Sequence, residues 1–308
     1  MFRFQKTVCQ PLKLSGVGLH TGKTIDVAIY PLPVNSGVWF QRTDTPGAPA
    51  LLATSENVTD TSLATTIGHG DAAISTLEHF LATVGGLGIS NLKVEVNGPE
   101  LPILDGSAAP WASLLRKAGV KTLNSPRAFY SLKKAFTLTE GDKILKVEPS
   151  DRFSVEATIE FPGFVKPQRL FFKFSEAGFV SEICPSRTFC LLKDVELMKS
   201  HNRALGGGLD NAVVIDNDGQ ILNPDGLRFP DELVRHKILD FIGDLTLAQY
   251  PILGHFTTHK TGHTLNQKFL RALLSAPALL EKHEPTPQSE PQSFDLPLPS
   301  VAAVALAS

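Results

Sequence analysis

Apolar and polar residues alternate with a two-residue period along residues 24–30 (T-I-D-V-A-I-Y) and again along Leu92–Val96, the pattern of half-buried strands. The same period marks residues 143–147 and Phe153–Phe161, and Ile252–His259 reads as a further strand. A helical period takes over in residues 75–84, 110–118 and 264–274. It is strongest across residues 231–247, where Val234, Ile238, Phe241 and Leu245 form one apolar stripe. Twice in the chain a helix with a histidine near its start leads through a turn into a strand: His79 to Val96, then His236 to Thr258. Strands mixed with few helices in each part predict an α+β fold of two domains, breaking near Asn124-Ser125-Pro126. The expected division is an N-terminal domain over residues 1–126, a C-terminal domain over 127–283 and a tail over 284–308. A duplicated fold would set the equivalent helices at the domain interface, a common place for a site.

Composition changes this picture at one end. The 308 residues carry 29 Lys and Arg against 31 Asp and Glu, a net charge of −2, so no strong field argues for nucleic acid. From Glu284 onward there are five prolines, three acids (Glu284, Glu290, Asp295) and no Lys or Arg, which leaves the body slightly basic. Such a Pro-rich stretch cannot bury enough surface to offset its ordering entropy and is expected to be disordered. It ends in a small apolar run, residues 301–307, which reads either as an inert terminus or as a handle for a protease or partner. Three cysteines (Cys9, Cys184, Cys190) are too few for a disulfide scaffold and fit a reducing compartment. The N-terminus has no 7–15-residue apolar run of the signal-peptide kind, and nothing reads as a membrane span. A cytoplasmic protein is expected.

Three clusters carry candidate chemistry. In R-H-K-I-L-D-F-I-G-D, His236, Asp240 and Asp244 recur every fourth residue and line one helix face, opposite the apolar stripe. An imidazole and a carboxylate one turn apart can both reach a Zn2+ ion, which accepts N and O donors at ~2.0–2.2 Å. The plain alternative is a solvated His/Asp face with ordinary helix pairing. The first half offers a further ligand in I-S-T-L-E-H-F-L, where Glu78 and His79 stand side by side. Ser75-x-x-Glu78 also has capping-box spacing, which alone would explain the carboxylate. An acid beside a metal ligand is what a metal hydrolase needs, because it can take the proton of an attacking water. His263, on a glycine-bearing loop before the last helix, can protonate a leaving group near neutral pH. His255 and His259 compete with it, four apart on one strand face, but no carboxylate accompanies them.

Two glycine-rich segments are set aside. G-V-G-L-H-T-G-K-T, residues 16–24, has the wrong glycine spacing for a P-loop and is followed by a strand pattern rather than a helix, so a hairpin turn is expected. Gly206-Gly207-Gly208 lacks the Lys-Ser/Thr of a P-loop and reads as a flexible insert.

Taken together and in order, G-V-G-L-H-T-G-K, S-T-L-E-H, G-P-E-L-P-I-L-D-G-S-A, S-R-T-F, L-N-P-D-G-L-R-F, D-E-L-V-R-H-K-I-L-D-F-I-G-D-L and K-T-G-H-T-L-N resemble the UDP-3-O-acyl-N-acetylglucosamine deacetylases of lipid A synthesis. The likeness runs from about residue 7 to 275. It implies two similar α+β domains with helices packed between their sheets, and one catalytic Zn2+, for which Fe2+ can substitute. Residue by residue it implies zinc ligands at His79, His236 and Asp240, a general base at Glu78 and a general acid at His263 oriented by Asp244. Thr188 matches the threonine that stabilises the oxyanion, and Phe189 its pocket neighbour. Lys237 matches a lysine that contacts substrate near the metal, and Lys143 and Phe161 match positions near the nucleotide. Residues 197–213 match the segment that forms the acyl passage, and some relatives are degraded through an apolar C-terminus like residues 301–308. The implied substrate is a UDP-linked acylated glucosamine, with no nucleic acid and no stable membrane insertion. The rival readings are a zinc amidohydrolase of another acylated sugar or peptide, and a sugar-nucleotide-binding module without catalysis.

Overall fold

The computed structural model describes residues 3–161 and 165–284, so the tail expected beyond Glu284 lies outside the described residues. The N-terminal part runs β1 (Phe4–Val8), β2 (Leu12–Val17), β3 (Thr24–Pro31), β4 (Val38–Arg42), β5 (Leu51–Leu52), β6 (Val58–Asp60) and β7 (Thr66–Ile67). It continues through α1 (Glu78–Leu87), β8 (Leu92–Val96), α2 (Ala109–Lys117) and β9 (Val120–Pro126). The C-terminal part opens with five strands, β10 (Phe129–Leu132), β11 (Phe136–Glu140), β12 (Lys143–Glu148), β13 (Phe153–Phe161) and β14 (Val165–Lys173). After a short turn α3 (Glu176–Gly178) come β15 (Phe189–Leu191), α4 (Leu192–Ser200) and β16 (Val213–Ile215). The chain ends in α5 (Glu232–Thr246), β17 (Ile252–His259), α6 (His263–Leu274) and β18 (Leu280–His283).

The fold is α+β, and its two sheets repeat one topology. In the first, the order β2-β3-β8-β4-β5 is antiparallel throughout except for the β8–β4 pair, which is parallel. In the second, β11-β12-β17-β13-β14 has the same pattern, with β17–β13 as the parallel pair. The last strand of each repeat is thus inserted centrally after a crossover through a helix, α1 in one and α5 in the other. That crossover is what a parallel pair requires. The echo around His79 and His236 in the sequence is this repeat. Only the second sheet carries additions: β10 pairs with the first two residues of β17, and β18 extends from β10.

Alternation sets which face of each strand enters the core. Ile25, Val27 and Ile29 of β3 and Leu92, Val94 and Val96 of β8 are buried, as are Leu145 and Val147 of β12 and Phe256 of β17. Between the sheets lie α1 and α5. Every residue of α1 except Gly85 is buried, and α5 is buried on its apolar stripe and on its His/Asp face alike. A helix enclosed all round is what two covering sheets produce. The two helices meet so closely at Gly243 that a Cβ there would overlap the Glu78 carbonyl. Among the described residues no helix is long and apolar enough to cross a membrane.

Three segments singled out in the sequence take these local forms. Residues 124–126 finish β9, which pairs with β1, and Pro126 occupies the strand end where its missing N–H costs nothing. Residues 16–24 form the expected hairpin, with Val17 opposite Thr24. Gly206 is not loose: its N–H donates to Leu19 O, and the preceding Leu205 N–H donates to His20 O. A Cβ on Gly206 would meet the Gly18 carbonyl, so glycine is there to let the insert lie against that hairpin turn.

Candidate active site

Glu78 and His79 open α1, but not through a capping box. Leu77 is the N-cap and no side chain caps the helix. Thr76 turns left-handed at φ 58°, and Ser75 instead joins the segment after β8 through its N–H to Pro99 O. The Glu78 carboxylate is thereby released to accept from the Thr65 N–H at 2.9 Å.

From the other half, α5 presents His236 and Asp240 toward the same point. One donor atom from each of His79, His236 and Asp240 lies within 4.8 Å of the others, and all three residues are buried. Asp240 Oδ1 stands 3.2 Å from His236 Nε2 and 3.7 Å from His79 Nε2. Donors arranged tetrahedrally at ~2.0–2.1 Å from an ion are separated by about 3.3 Å, so the spacing fits a metal. Asp240 Oδ1 is also buried without a hydrogen-bond partner, a costly arrangement for a carboxylate oxygen that no cation satisfies. The His236 ring is fixed from behind, where Nδ1–H donates to Ser186 O at 3.1 Å and leaves Nε2 for the cluster. Ser186 is in turn held by its neighbour Arg187, whose guanidinium is bidentate to the fully buried Glu232 one turn before His236.

His263, the first residue of α6 rather than a loop residue, faces this cluster from the far side. Its Nε2 is 3.9 Å from Asp240 Oδ2, and its Nδ1 is 2.9 Å from Asp244 Oδ2. Asp244 accepts as well from Asn266 Nδ2 at 2.8 Å and from Thr65 Oγ1 at 2.6 Å. Lys237 Nζ donates to Asp240 Oδ2 at 2.7 Å, leaving Oδ1 to face His79 and His236.

The electrostatics sort these groups. Burial raises the Glu78 pKa, and the positive charge on His263 only partly offsets it. Burial and the neighbouring His236 bring His79 down to about 3, so it is a neutral donor suited to a metal. For Asp240 burial acts upward, but the charges of His236 and Lys237 outweigh it and hold the carboxyl well below its usual range. For His263 burial acts downward, yet Asp244 prevails and raises the imidazole to about 9. The site therefore pairs a carboxylate of raised basicity with an imidazolium, which suits general base and general acid work.

Around this centre Thr188 is pinned by its backbone, with its N–H on Gly106 O and its carbonyl accepting from Val213 N–H. Among the described residues its hydroxyl makes no hydrogen bond. Phe189 lies edge-on to His236 at 6.1 Å between ring centroids and meets Phe161 at 5.4 Å, so the two aromatics form a wall leading to the cluster. Lys143 is exposed at the first position of β12, opposite Glu140, and no contact among the described residues joins it to the centre. His255 and His259 sit on the half-exposed face of β17, away from the cluster, with His255 bonded to Ser154. In the insert, Leu197, Leu205 and Leu209 stand exposed.

Two residues of the site escape sequence reasoning. Asn266 lies one turn after His263 in the H-T-L-N run, and that spacing was a usable signal. Thr65 sits in an irregular segment 13 residues before Glu78, where no periodicity marks it.

Comparison with known proteins shows the family. The profile of the UDP-3-O-acyl N-acetylglycosamine deacetylase family matches residues 5–275. The UDP-3-O-acyl-N-acetylglucosamine deacetylase of Geobacter sp. (strain M21) is 44% identical over 300 residues, covering 97% of this chain and 98% of the relative. The protein of that name from Myxococcus xanthus (strain DK1622) is 45% identical over 278 residues, 90% of this chain and 88% of its own. That from Shewanella sp. (strain W3-18-1) is 42% identical over 305 residues, 97% and 99% of the two chains. The matches span most or nearly all of each relative's length, and the chain belongs to the UDP-3-O-acyl N-acetylglycosamine deacetylase family.

Proposed function

We propose that this chain hydrolyses the N-acetyl group of UDP-3-O-acyl-N-acetylglucosamine in lipid A synthesis, releasing acetate and the free glucosamine amine. The observation that carries the reading is the His79–His236–Asp240 cluster flanked by Glu78 on one side and His263 on the other, in a chain of this family. Zn2+, with Fe2+ as a substitute, is the ion we assign to those three ligands, where it would polarise the acetamide carbonyl and lower the pKa of a water to ~7.

The chain's own residues then divide the work. Glu78, a carboxylate made more basic by burial, takes the proton of the attacking water. The Thr188 hydroxyl donates to the oxygen on which charge develops. His263 enters as the imidazolium and protonates the leaving amine from Nε2, while Asp244 holds Nδ1–H and keeps the ring aimed. Lys237 contacts substrate beside the metal, and its bond to Asp240 keeps its charge at that rim. Phe161 and Phe189 line the sugar approach, Lys143 lies toward the nucleotide, and the exposed leucines of residues 197–213 receive the acyl chain. In this reading residues 1–126 bring Glu78 and His79, and residues 127–283 bring the remainder. The work is placed in the cytoplasm, where UDP-sugars are found, and residues 301–308 serve as a recognition signal for a protease.

The test is acetate release from UDP-3-O-acyl-N-acetylglucosamine by the zinc-loaded protein across a panel of acyl lengths. Turnover with a free amine as second product is expected. A protein holding one equivalent of zinc that releases no acetate at any chain length overturns the assignment.

A further inference from the structure

Arg127 is 8% exposed, and among the described residues no carboxylate pairs with it. Its Nη1 donates to Gly88 O at 3.2 Å, at the C-terminal end of α1, where a cation is favoured by the helix dipole. That accounts for one of five N–H groups. Nε is buried with no partner at all. Burial alone draws the guanidinium down to about 10, with no neighbouring anion acting against it. A buried charge left in this way is expensive, and the structure offers it a place for a counter-ion.

Arg127 lines a cavity of about 80 Å³ beneath the last turns of α1 and α5. The other walls are apolar, chiefly Phe153, Phe174, Ile242, Leu245 and Ile252, with Thr246, Gln249 and Tyr250 at the edge. Nearby charge outside is already spoken for: Lys282 lies 4.2 Å over the Tyr250 ring and pairs with Glu284 at 2.6 Å. The cavity is separate from the candidate active site. It uses Ile242, Leu245 and Thr246 of α5, whereas the metal-ligand cluster uses His236 and Asp240.

We propose that this cavity is a binding site for a short-chain monocarboxylate, with the Arg127 guanidinium gripping the carboxylate and the apolar walls taking the alkyl end. The planar fork of arginine matches a carboxylate in two parallel bonds. A phosphate or sulfate would need donors around its whole surface, and the phenylalanine and isoleucine walls provide none. The size limits the ligand: a cavity of ~150 Å³ accommodates benzene with its six heavy atoms, so about half that volume suits a molecule of roughly three or four heavy atoms.

The probe is sodium acetate, applied to the full zinc-loaded chain at constant ionic strength and read by thermal melting and by saturation-transfer NMR on the acetate methyl protons. Acetate is expected to raise the melting temperature and to receive saturation, while ethanol and inorganic phosphate do neither. Arg127→Met should abolish the acetate effect, and Arg127→Lys, which keeps the charge but loses the fork, should weaken binding about tenfold or more. Equal responses to acetate and ethanol, or acetate binding that survives in Arg127→Met, overturn the proposal. The second outcome would place the carboxylate elsewhere, the metal cluster included. Should Arg127→Met not fold, the Arg127→Lys affinity and the three-probe comparison on the unaltered chain decide alone: no loss on Arg127→Lys overturns it.

Discussion

In the N-terminal half α1 brings a single carboxylate to the site, and in the C-terminal half the equivalent helix α5 brings two. Glu78 touches no cation directly: its hydrogen bond comes from the neutral Thr65 N–H, and burial raises its pKa. Asp240 and Asp244 are both tied to cationic or potentially cationic groups, Lys237 and His236 for the first and His263 for the second. The same topology therefore supports opposite electrostatic outcomes. Without a bonded cation the enclosed Glu78 carboxylate is raised in pKa and suited to base work, whereas His236 and Lys237 hold the equally enclosed Asp240 well below its usual range. The difference is not one of burial, since Glu78 and Asp240 are both nearly inaccessible. It lies in which neighbours each helix presents.

The harshest way to break this comparison is to remove a ligand. His236→Ala should lose bound zinc and essentially all deacetylation, because three ligands fall to two, and even changes to supporting residues cost 10–100-fold in metal affinity. Elemental analysis after dialysis checks it, and one retained equivalent of zinc would show that the ligand set is wrong. Glu78→Gln comes next. It should keep zinc and lose activity by ~10²–10⁴-fold in kcat, the usual weight of general base catalysis. Equal kcat for Glu78→Gln and the unaltered chain would leave the carboxylate of α1 without its role.

Asp244→Asn probes the other side of the comparison through pH. Burial pulls His263 down and Asp244 pushes it up, for a net rise to about 9. A general acid works only while protonated, so activity should fall as pH rises through that value. Removing the Asp244 charge takes away the upward push, so the alkaline limb of the kcat profile should move to lower pH by about one unit or more, with zinc unchanged. A limb that stays in place would show that some other group sets it.

How far the sequence foretold this site depended on whether a residue obeyed a period. His236, Asp240 and Asp244 were legible because a helix repeats its faces every fourth residue, and α5 keeps that face from Glu232 to Thr246. The strands were legible for the same reason, with Phe153–Phe161 and Ile252–His259 found at their observed bounds. That Glu78 would face α5 was not legible, because its spacing to Ser75 imitates a cap. The imitation fails only because Thr76 turns left-handed and Ser75 bonds to Pro99, a contact 24 residues away. The repeat of sheet order was visible as an echo of two helix–strand units, whereas the crossed pairing of β4 with β8 and β13 with β17 depends on contacts between distant residues. Family resemblance alone supplied the roles proposed for Thr188, Lys237 and Phe189, for which no local pattern spoke.

Thr65 gives the smallest expected effect and the sharpest one, because it touches both halves of the comparison. Its backbone N–H holds Glu78, the proposed base, and its hydroxyl holds Asp244 at 2.6 Å, with His263 Nδ1 3.3 Å away. Thr65→Val keeps the N–H and the shape and deletes only the hydroxyl, so Glu78 stays in place while Asp244 loses one of its partners. The loss of one buried hydrogen bond to a charged group is worth about 1.5–3 kcal/mol. Part of that should be felt as a looser Asp244–His263 pair, lowering kcat by roughly tenfold while KM and zinc content stay as they were. Thr65→Ser restores the hydroxyl and should restore kcat. A purely structural role would instead lower the melting temperature of the valine variant and leave kcat per folded, zinc-loaded molecule unchanged. If kcat is unchanged in Thr65→Val, Asn266 and the backbone suffice to aim Asp244, and the two halves act on the substrate without this bridge.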